Sequence, residues 1–263
     1  MPRPLITLTT DFGESSPYVG QMKGAILSRT PEAAIVDITH GIGPQNIREG
    51  ALVLADAAPH FPAGTIHIAV IDPGVGTARQ VVLAAISGAW FIAPNNGLLG
   101  LVARREKPSE LYAITEPEYW REGGISATFH GRDVMGPVAA HLARGTPPGA
   151  FGPPLAELAP LDWPEPRREG AELHGEVLWI DRFGNAITNI EAGLLESHGA
   201  AAPPAVESGG KRAAWVATYG EAAAGSLVAL LGSSARLELA VVNGSAAGEL
   251  GLHAGSPVVV QLK

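Results

Sequence analysis

The sequence predicts an amino-terminal α/β domain with a largely parallel central sheet, followed by a carboxy-terminal all-β, barrel-like domain. Three observations carry this reading. In the first half, continuous apolar runs alternate with helix-like segments, as strands buried on both faces require. Near residue 145 a proline-crowded stretch interrupts the pattern. Beyond it, short apolar runs are separated by Gly, Asn and Ser, the texture of a small barrel or sandwich.

Taken in order, residues 5–9 (LITLT) read as the first strand and 18–29 as a helix. Residues 33–39 (AAIVDIT) and 65–72 (TIHIAVID) repeat the strand pattern around a helix at 47–59. The run 81–103 is uncharged and long enough to span a bilayer. Ser87, Gly88, Pro94, Asn95, Asn96 and Gly97 break it, so it reads as strand, turn, strand, turn, helix. Strands are expected at 81–86 and 90–93, and a further helix at 131–144. The proline-rich segment is incompatible with a helix or a central strand. It divides the chain into a domain at 1–150, a linker at 151–171 and a second domain at 172–263. In the latter, strands are expected at 172–180, 186–190, 213–219, 226–231, 237–242 and 256–262. Residues 200–214 (AAAPPAVESGGKRAA) read as a flexible or exposed connection.

Composition excludes several classes. Of 263 residues, 46% are hydrophobic and 17% charged, enough for a sizeable core and against disorder. A net charge of −8 with scattered basic residues argues against a nucleic-acid partner. The absence of cysteine removes disulfides, thiolate catalysis and cysteine-held metals. With no signal-peptide pattern and no membrane span, the expected location is cytoplasmic. His40, His60, His67, His130 and His141 make no recognised ligand spacing, so no metal is expected.

In open α/β sheets, sites lie beyond the carboxyl ends of strands. Asp11, His40 and Asp72 follow the first three strands. In TTDFG, Asp11 by itself reads as a cap. In IDPGVGTAR, Asp72 and Arg79 meet either as a structural ion pair or at the mouth of a site. In TFHGRDVMGP, His130 adjoins a helix start, where the dipole disfavours the imidazolium. In IDRFGNAITNI, Asn185 has an amide that can read a purine edge and Phe183 a ring that can stack on it, although Asp181 to Asn185 equally reads as a turn. GSSARLELAVVNGSA holds Ser233, Ser234 and Glu238 beside glycine, with Asn243-Gly244 as a turn.

In combination and order, TTDFG, DITHGIGPQNIREGA, IDPGVGTAR, FIAPNNG, TFHGRDV, IDRFGNAITNI and GSSARLELAVVNGSA resemble the adenosine-forming S-adenosylmethionine hydrolases, relatives of the fluorinases and chlorinases. The resemblance runs from about residue 5 to the end of the chain. It implies hydrolysis of S-adenosylmethionine to adenosine and methionine by a homotrimer, with sites between the first domain of one subunit and the second domain of its neighbour. The water-using members' catalytic set corresponds to Asp72, Arg79 and His130. Halogenases resemble this frame but have tyrosine at the place of Asp72, lack the histidine and provide a small halide pocket, so Asp72, His130 and Gly131 point to water. The resemblance gives Asp11 the ribose hydroxyls, Asn185 the adenine, and Ser233, Glu238 and Val241 further nucleoside contacts, with Ser234 also expected to touch the substrate. Phe129 and Phe183 correspond to pocket-lining aromatics, and Asp181 to the acid that meets the methionine ammonium in halogenases. Gln45 departs from the halogenase tryptophan.

The implied chemistry is in-line attack of an activated water on the ribose C5′. A sulfonium leaves as a neutral thioether and needs no acid, so no cofactor is expected. Either Asp72 or His130 then takes the proton, with Arg79 orienting both. The competing expectations are a halogenase, a non-catalytic adenosine or S-adenosylmethionine binder and, third, a metal-dependent hydrolase.

Overall fold

The structure, a computed structural model, describes residues 3–198 and 205–262. It contains two compact units, Met1–Asp162 and Trp163–Lys263. Among the described residues no helix is long and apolar enough to cross a membrane.

In the first unit the chain forms β1 (Leu5–Thr10), α1 (Tyr18–Leu27), β2 (Ala34–Thr39), α2 (Ile47–Ala57), β3 (Ile66–Val70), β4 (Val81–Ile86), β5 (Ala89–Pro94), α3 (Gly100–Arg105), β6 (Glu110–Ala113) and α4 (Gly136–Ala143). The strands make one sheet in the order β2-β1-β3-β5-β4-β6. It is parallel across β2, β1, β3 and β5, as the continuous apolar runs predict. Its far edge is antiparallel, so the sheet as a whole is mixed. The reason is local. Ser87 (φ 51°) and Gly88 (φ 76°) make a tight turn that folds β5 directly back on β4, and a two-residue turn can only join antiparallel neighbours.

One core cluster joins Ile6 and Leu8 of β1, Ile68 and Val70 of β3, Met22 and Ile26 of α1, and Val138 and Ala139 of α4. Burying a side chain of this size contributes roughly 1.5–3 kcal/mol. Helix α2 approaches Ile71, just beyond β3, at Gly50, where a Cβ would come within 2.8 Å of the Ile71 side chain. Asn46 caps α2 by accepting the Glu49 N–H at 3.1 Å, and Glu49 in turn accepts the Gly43 N–H at 3.0 Å. From β1 the chain crosses to β2 on one side and to β3 on the other. The ends of β1 and β3 are therefore where the strand order reverses, and Asp11 and Asp72 follow those two strands.

An ionisable ring lies in the core. His67 on β3 is 1% exposed, shares a 2.7 Å hydrogen bond between Nδ1 and Thr7 Oγ1, and stacks on Phe91 at 4.8 Å. Burial pushes its pKa down to about 4. The ring is neutral in the fold, while the unfolded chain takes up its proton near pH 6.5. This contribution to stability is therefore full above about pH 6.5 and is lost as pH falls towards 4, by roughly 3 kcal/mol. Urea unfolding between pH 7 and 4 should show the loss in the parent and a smaller one in His67→Gln. Equal slopes would assign it to other groups.

The second unit contains β7 (Arg167–Glu169), β8 (Glu172–Ile180), β9 (Ala186–Glu191), α5 (Ala192–Ser197), β10 (Val206–Ser208), β11 (Lys211–Trp215), β12 (Leu227–Leu231), β13 (Arg236–Val241), α6 (Ala246–Leu250) and β14 (Pro257–Gln261). The ladder runs β14-β10-β11-β12-β13-β9-β8, and β14 pairs back onto β8, closing a seven-strand barrel with β7 added outside. Closure leaves no open edge within the ring. Leu173, Val177, Ile190, Leu237, Leu239 and Val258 fill the interior.

Two expectations change here. Of the segment expected to be a connection, residues 200–204 lie outside the described residues. Val206–Ser208 and Lys211–Trp215 instead pair as antiparallel strands, through Gly209 (φ 57°) and Gly210 (φ 73°). The strand expected at 213–219 lies earlier, at Lys211–Trp215, and Tyr219 begins a short 3₁₀ turn.

Candidate active site

Asp72 and Arg79 belong to one tight loop after β3. Thr77 donates its N–H to Gly74 O at 3.1 Å and its hydroxyl to the same oxygen at 2.7 Å, and its own Oγ1 accepts the Arg79 N–H at 3.3 Å. Gly76 (φ 77°) lies so close to Ala127 that a Cβ there would overlap the Ala127 carbonyl oxygen. Glycine is needed on both counts, and its absent side chain lets this loop abut the segment that precedes His130.

The three side chains meet. Arg79 donates Nε–H to Asp72 Oδ1 at 2.8 Å and an Nη2–H to Asp72 Oδ2, a bidentate pair whose side chains are 10% and 5% exposed. Arg79 Nη2 also lies 3.0 Å from His130 Nδ1. A guanidinium only donates, so His130 Nδ1 accepts and the ring carries its proton on Nε2. Burial, and next the Arg79 charge, hold the His130 pKa below the usual histidine range, against the opposing pull of Asp72 and Asp133. The neutral imidazole expected from a helix dipole is thus present for a different reason. His130 stands at the start of a short π-helical turn, Gly131–Met135, and makes no side-chain cap.

The 126–133 loop is organised by Asp133, a residue sequence reasoning left without a role. Its side chain is 0% exposed. It accepts the Ser126 N–H at 2.8 Å, two bonds from Arg132 at 2.6 and 2.8 Å, and one from Arg121 at 3.3 Å. Burial by itself would raise its pKa, but these donors outweigh that and hold it below the carboxylate range. On the other loop, Asn96 donates to the Ile71 carbonyl at 2.9 Å, the residue next to Asp72. FIAPNNG and HGRD were the available signals for both residues.

Asp11 is not a helix cap. Helix α1 is preceded by Pro17 without a side-chain cap, and Asp11 Oδ2 accepts the Gln45 N–H at 2.8 Å. Gln45 takes a left-handed φ of 63°, rare for a residue with a side chain, and Asp11 holds it there. Phe129 is 9% exposed and packs edge-on against Phe12 and Tyr18, with the Arg132 guanidinium 4.8 Å above its ring. Gly131 packs on Met22 and Val70, and a Cβ would reach ordinary contact at 3.4 Å.

In the second unit, Asp181 organises its own turn. Oδ1 accepts the N–H groups of Phe183 (2.8 Å) and Asn185 (2.9 Å), and Oδ2 accepts the Asn185 side-chain amide at 3.1 Å. The turn expected from composition is therefore present, with Gly184 (φ 83°) pressed against Ser245. Asn185 is 8% exposed and retains its amide oxygen and one N–H, whereas Phe183 stands 77% exposed. Ser233 and Ser234 lie in the turn between β12 and β13, closed by Ala235 N–H to Gly232 O at 3.0 Å. Val241 is buried at the end of β13, and Asn243 (φ 56°) makes the expected turn. Glu238, 8% exposed, accepts the Tyr219 hydroxyl. Tyr219 carried no signal in the sequence, because the segment after β11 and strand β13 are brought together by their shared neighbour β12, not by local spacing.

The chain matches the SAM hydroxide adenosyltransferase N-terminal domain model over residues 6–152 and the C-terminal domain model over residues 175–259. It is 43% identical over 267 residues to the (R)-S-adenosyl-L-methionine hydrolase of Thermus thermophilus, covering 97% of this chain and 98% of that one. The fluorinase of Nocardia brasiliensis is 36% identical over 75% of this chain and 74% of its own. A crystal structure of a conserved protein from Thermotoga maritima superposes with a TM-score of 0.91 at 35% identity, covering 97% of this chain and 99% of that one.

Proposed function

The chain belongs to the SAM hydroxide adenosyltransferase family, and from that premise we propose that it hydrolyses S-adenosyl-L-methionine to adenosine and L-methionine. The observation that carries this reading is the hydrogen-bonded Asp72–Arg79–His130 set on loops at the end of β3 and before α4. A water oxygen attacks C5′, the C5′–S bond breaks, and its electron pair leaves on the methionine sulfur. The water's proton must go to an acceptor. With Nδ1 occupied by Arg79, His130 offers an Nε2–H donor that orients the water's oxygen. Asp72 keeps lone pairs beyond those used by Arg79, so the carboxylate takes the proton and later passes it to solvent. Positioning of this kind lowers barriers by as much as roughly 7–11 kcal/mol.

The remaining roles belong to the same proposal. Asp11 Oδ1, which accepts no hydrogen bond among the described residues, grips the ribose hydroxyls, and Phe129 and Gly131 line its surroundings. Asn185 reads the adenine edge, Phe183 stacks on it, and Ser233, Ser234 and Val241 complete the cradle. We further propose a cytoplasmic homotrimer in which the first unit of one subunit and the second unit of its neighbour share each substrate. A thioether leaving group needs neither Lewis acid nor redox partner, so the reaction proceeds without a cofactor, and chelator should leave the rate unchanged.

Chromatography of products formed from S-adenosylmethionine with and without chloride or fluoride tests the reaction. Adenosine and methionine in equal amounts, indifferent to halide, is the expected result. A 5′-halo nucleoside would make the chain a halogenase, and tight binding without methionine release would make it a sensor.

A further inference from the structure

Of the polar residues that follow the first three strands, His40 has no part in the reaction as proposed. It is nevertheless only 8% exposed. Its ring Nδ1 lies 2.9 Å from Oγ1 of Thr10, the fully buried last residue of β1. The same Thr10 oxygen accepts the Phe12 N–H at 3.2 Å. His40 also acts through its backbone, where its carbonyl accepts the Gly13 N–H at 2.8 Å. Asp11 stands between these attachments, so His40 holds the chain on both sides of it.

The hydrogens can be placed. A buried hydroxyl needs an acceptor for its one proton, and among the described residues His40 Nδ1 is the acceptor within reach of Thr10. The ring's own proton then lies on Nε2, in a bent contact 3.2 Å from Asp37 Oδ1. A carboxylate on that side favours this tautomer. Lys23 donates to Asp37 Oδ2 at 2.5 Å. Burial would raise the Asp37 pKa, but Lys23 and next His40 outweigh it and hold the carboxyl below the usual range. Packing alone does not ask for a polar pair here, since two apolar side chains of similar shape can fill such a space at little cost. The polar pair adds direction: it fixes the Thr10 hydroxyl and, through it, the Phe12 N–H.

We propose that His40 is a positioning residue for Asp11: through the Thr10 hydroxyl and through its own carbonyl it fixes the loop that aims the Asp11 carboxylate. The inference rests on the proposed ribose role of Asp11. That residue lies just past the end of β1, where the strand ladder no longer sets the backbone. It spends Oδ2 on the Gln45 N–H at 2.8 Å and has Oδ1 to present to the ribose hydroxyls. A contact of that kind must be held within about 0.5 Å by bonds behind it. The bonds from His40 to Thr10 and Gly13 are in that place, and they come from a different strand, β2, that pairs with β1.

The test compares nucleosides with and without ribose hydroxyls on the full-length protein. Calorimetry gives the affinities of adenosine and 2′,3′-dideoxyadenosine, and steady-state rates give KM and kcat with S-adenosylmethionine. The parent should prefer adenosine by roughly 10- to 100-fold, the range of a hydrogen bond to a charged group. The double variant Thr10→Val, His40→Phe replaces both partners by apolar groups, so the fold should persist. It should lose about 3- to 10-fold of the preference, the range of a neutral hydrogen bond, and leave dideoxyadenosine binding unchanged. KM should rise by the same factor with kcat steady. Thr10→Ser keeps the hydroxyl and should keep the preference. In an Asp11→Asn background the double variant should cost nothing further, because the carboxylate it aims is gone. Equal weakening of the two nucleosides would make the pair a support of the general fold and overturn the proposal, as would an unaltered preference. A parent that binds both nucleosides alike would instead refute the ribose role of Asp11, and one that releases no methionine would refute the reaction.

Discussion

Asp72→Asn is expected to reduce kcat for methionine release by about 10²–10⁴, the usual worth of a general base, with adenosine affinity unchanged. The amide is nearly isosteric, but it cannot accept the water's proton, and one of its faces donates where Arg79 also donates. His130 does not substitute, because Arg79 occupies Nδ1 at 3.0 Å and leaves the ring proton on Nε2. His130→Gln keeps a donor in that region and should lose less activity than Asp72→Asn. If the histidine variant is the more damaged of the two, the imidazole is the base and the direction of proton flow proposed above is wrong.

Asp133→Ala is expected to destabilise the protein by about 3 kcal/mol, the lower end for breaking a buried ion pair, because Arg121 and Arg132 can turn partly to solvent. The part-buried Ser126 N–H loses its acceptor as well. Activity should fall further than the stability loss explains, since the same loop carries His130 towards Arg79. Chemical denaturation measures the first effect, and kcat well below the melting temperature measures the second. A variant with parental kcat would show that the loop holds its shape without Asp133.

How much of this was legible in the sequence differs by kind of residue. Strands β3 and β4 stood out because each buries a nearly continuous apolar run. Asp72, Arg79 and His130 were marked by motifs that local turns impose, and the loops do bring them together. Asp133 and Asn96 lay inside quoted motifs yet had no assigned role, because their bonds run to residues whose proximity no local spacing reveals. The hairpin of β10 and β11 was read as a connection, since it holds too few apolar residues to announce strands and depends on β14 and β12 for partners.

The sequence by itself determined the two fold classes, because apolar periodicity and turn-forming residues act over short stretches of chain, and its motifs marked the family by resemblance. Only the tertiary structure decided the closure of the barrel, the imidazole tautomer and the meeting of Tyr219 with Glu238. Each of these depends on atoms far apart in the chain, and packing, not spacing, sets those distances.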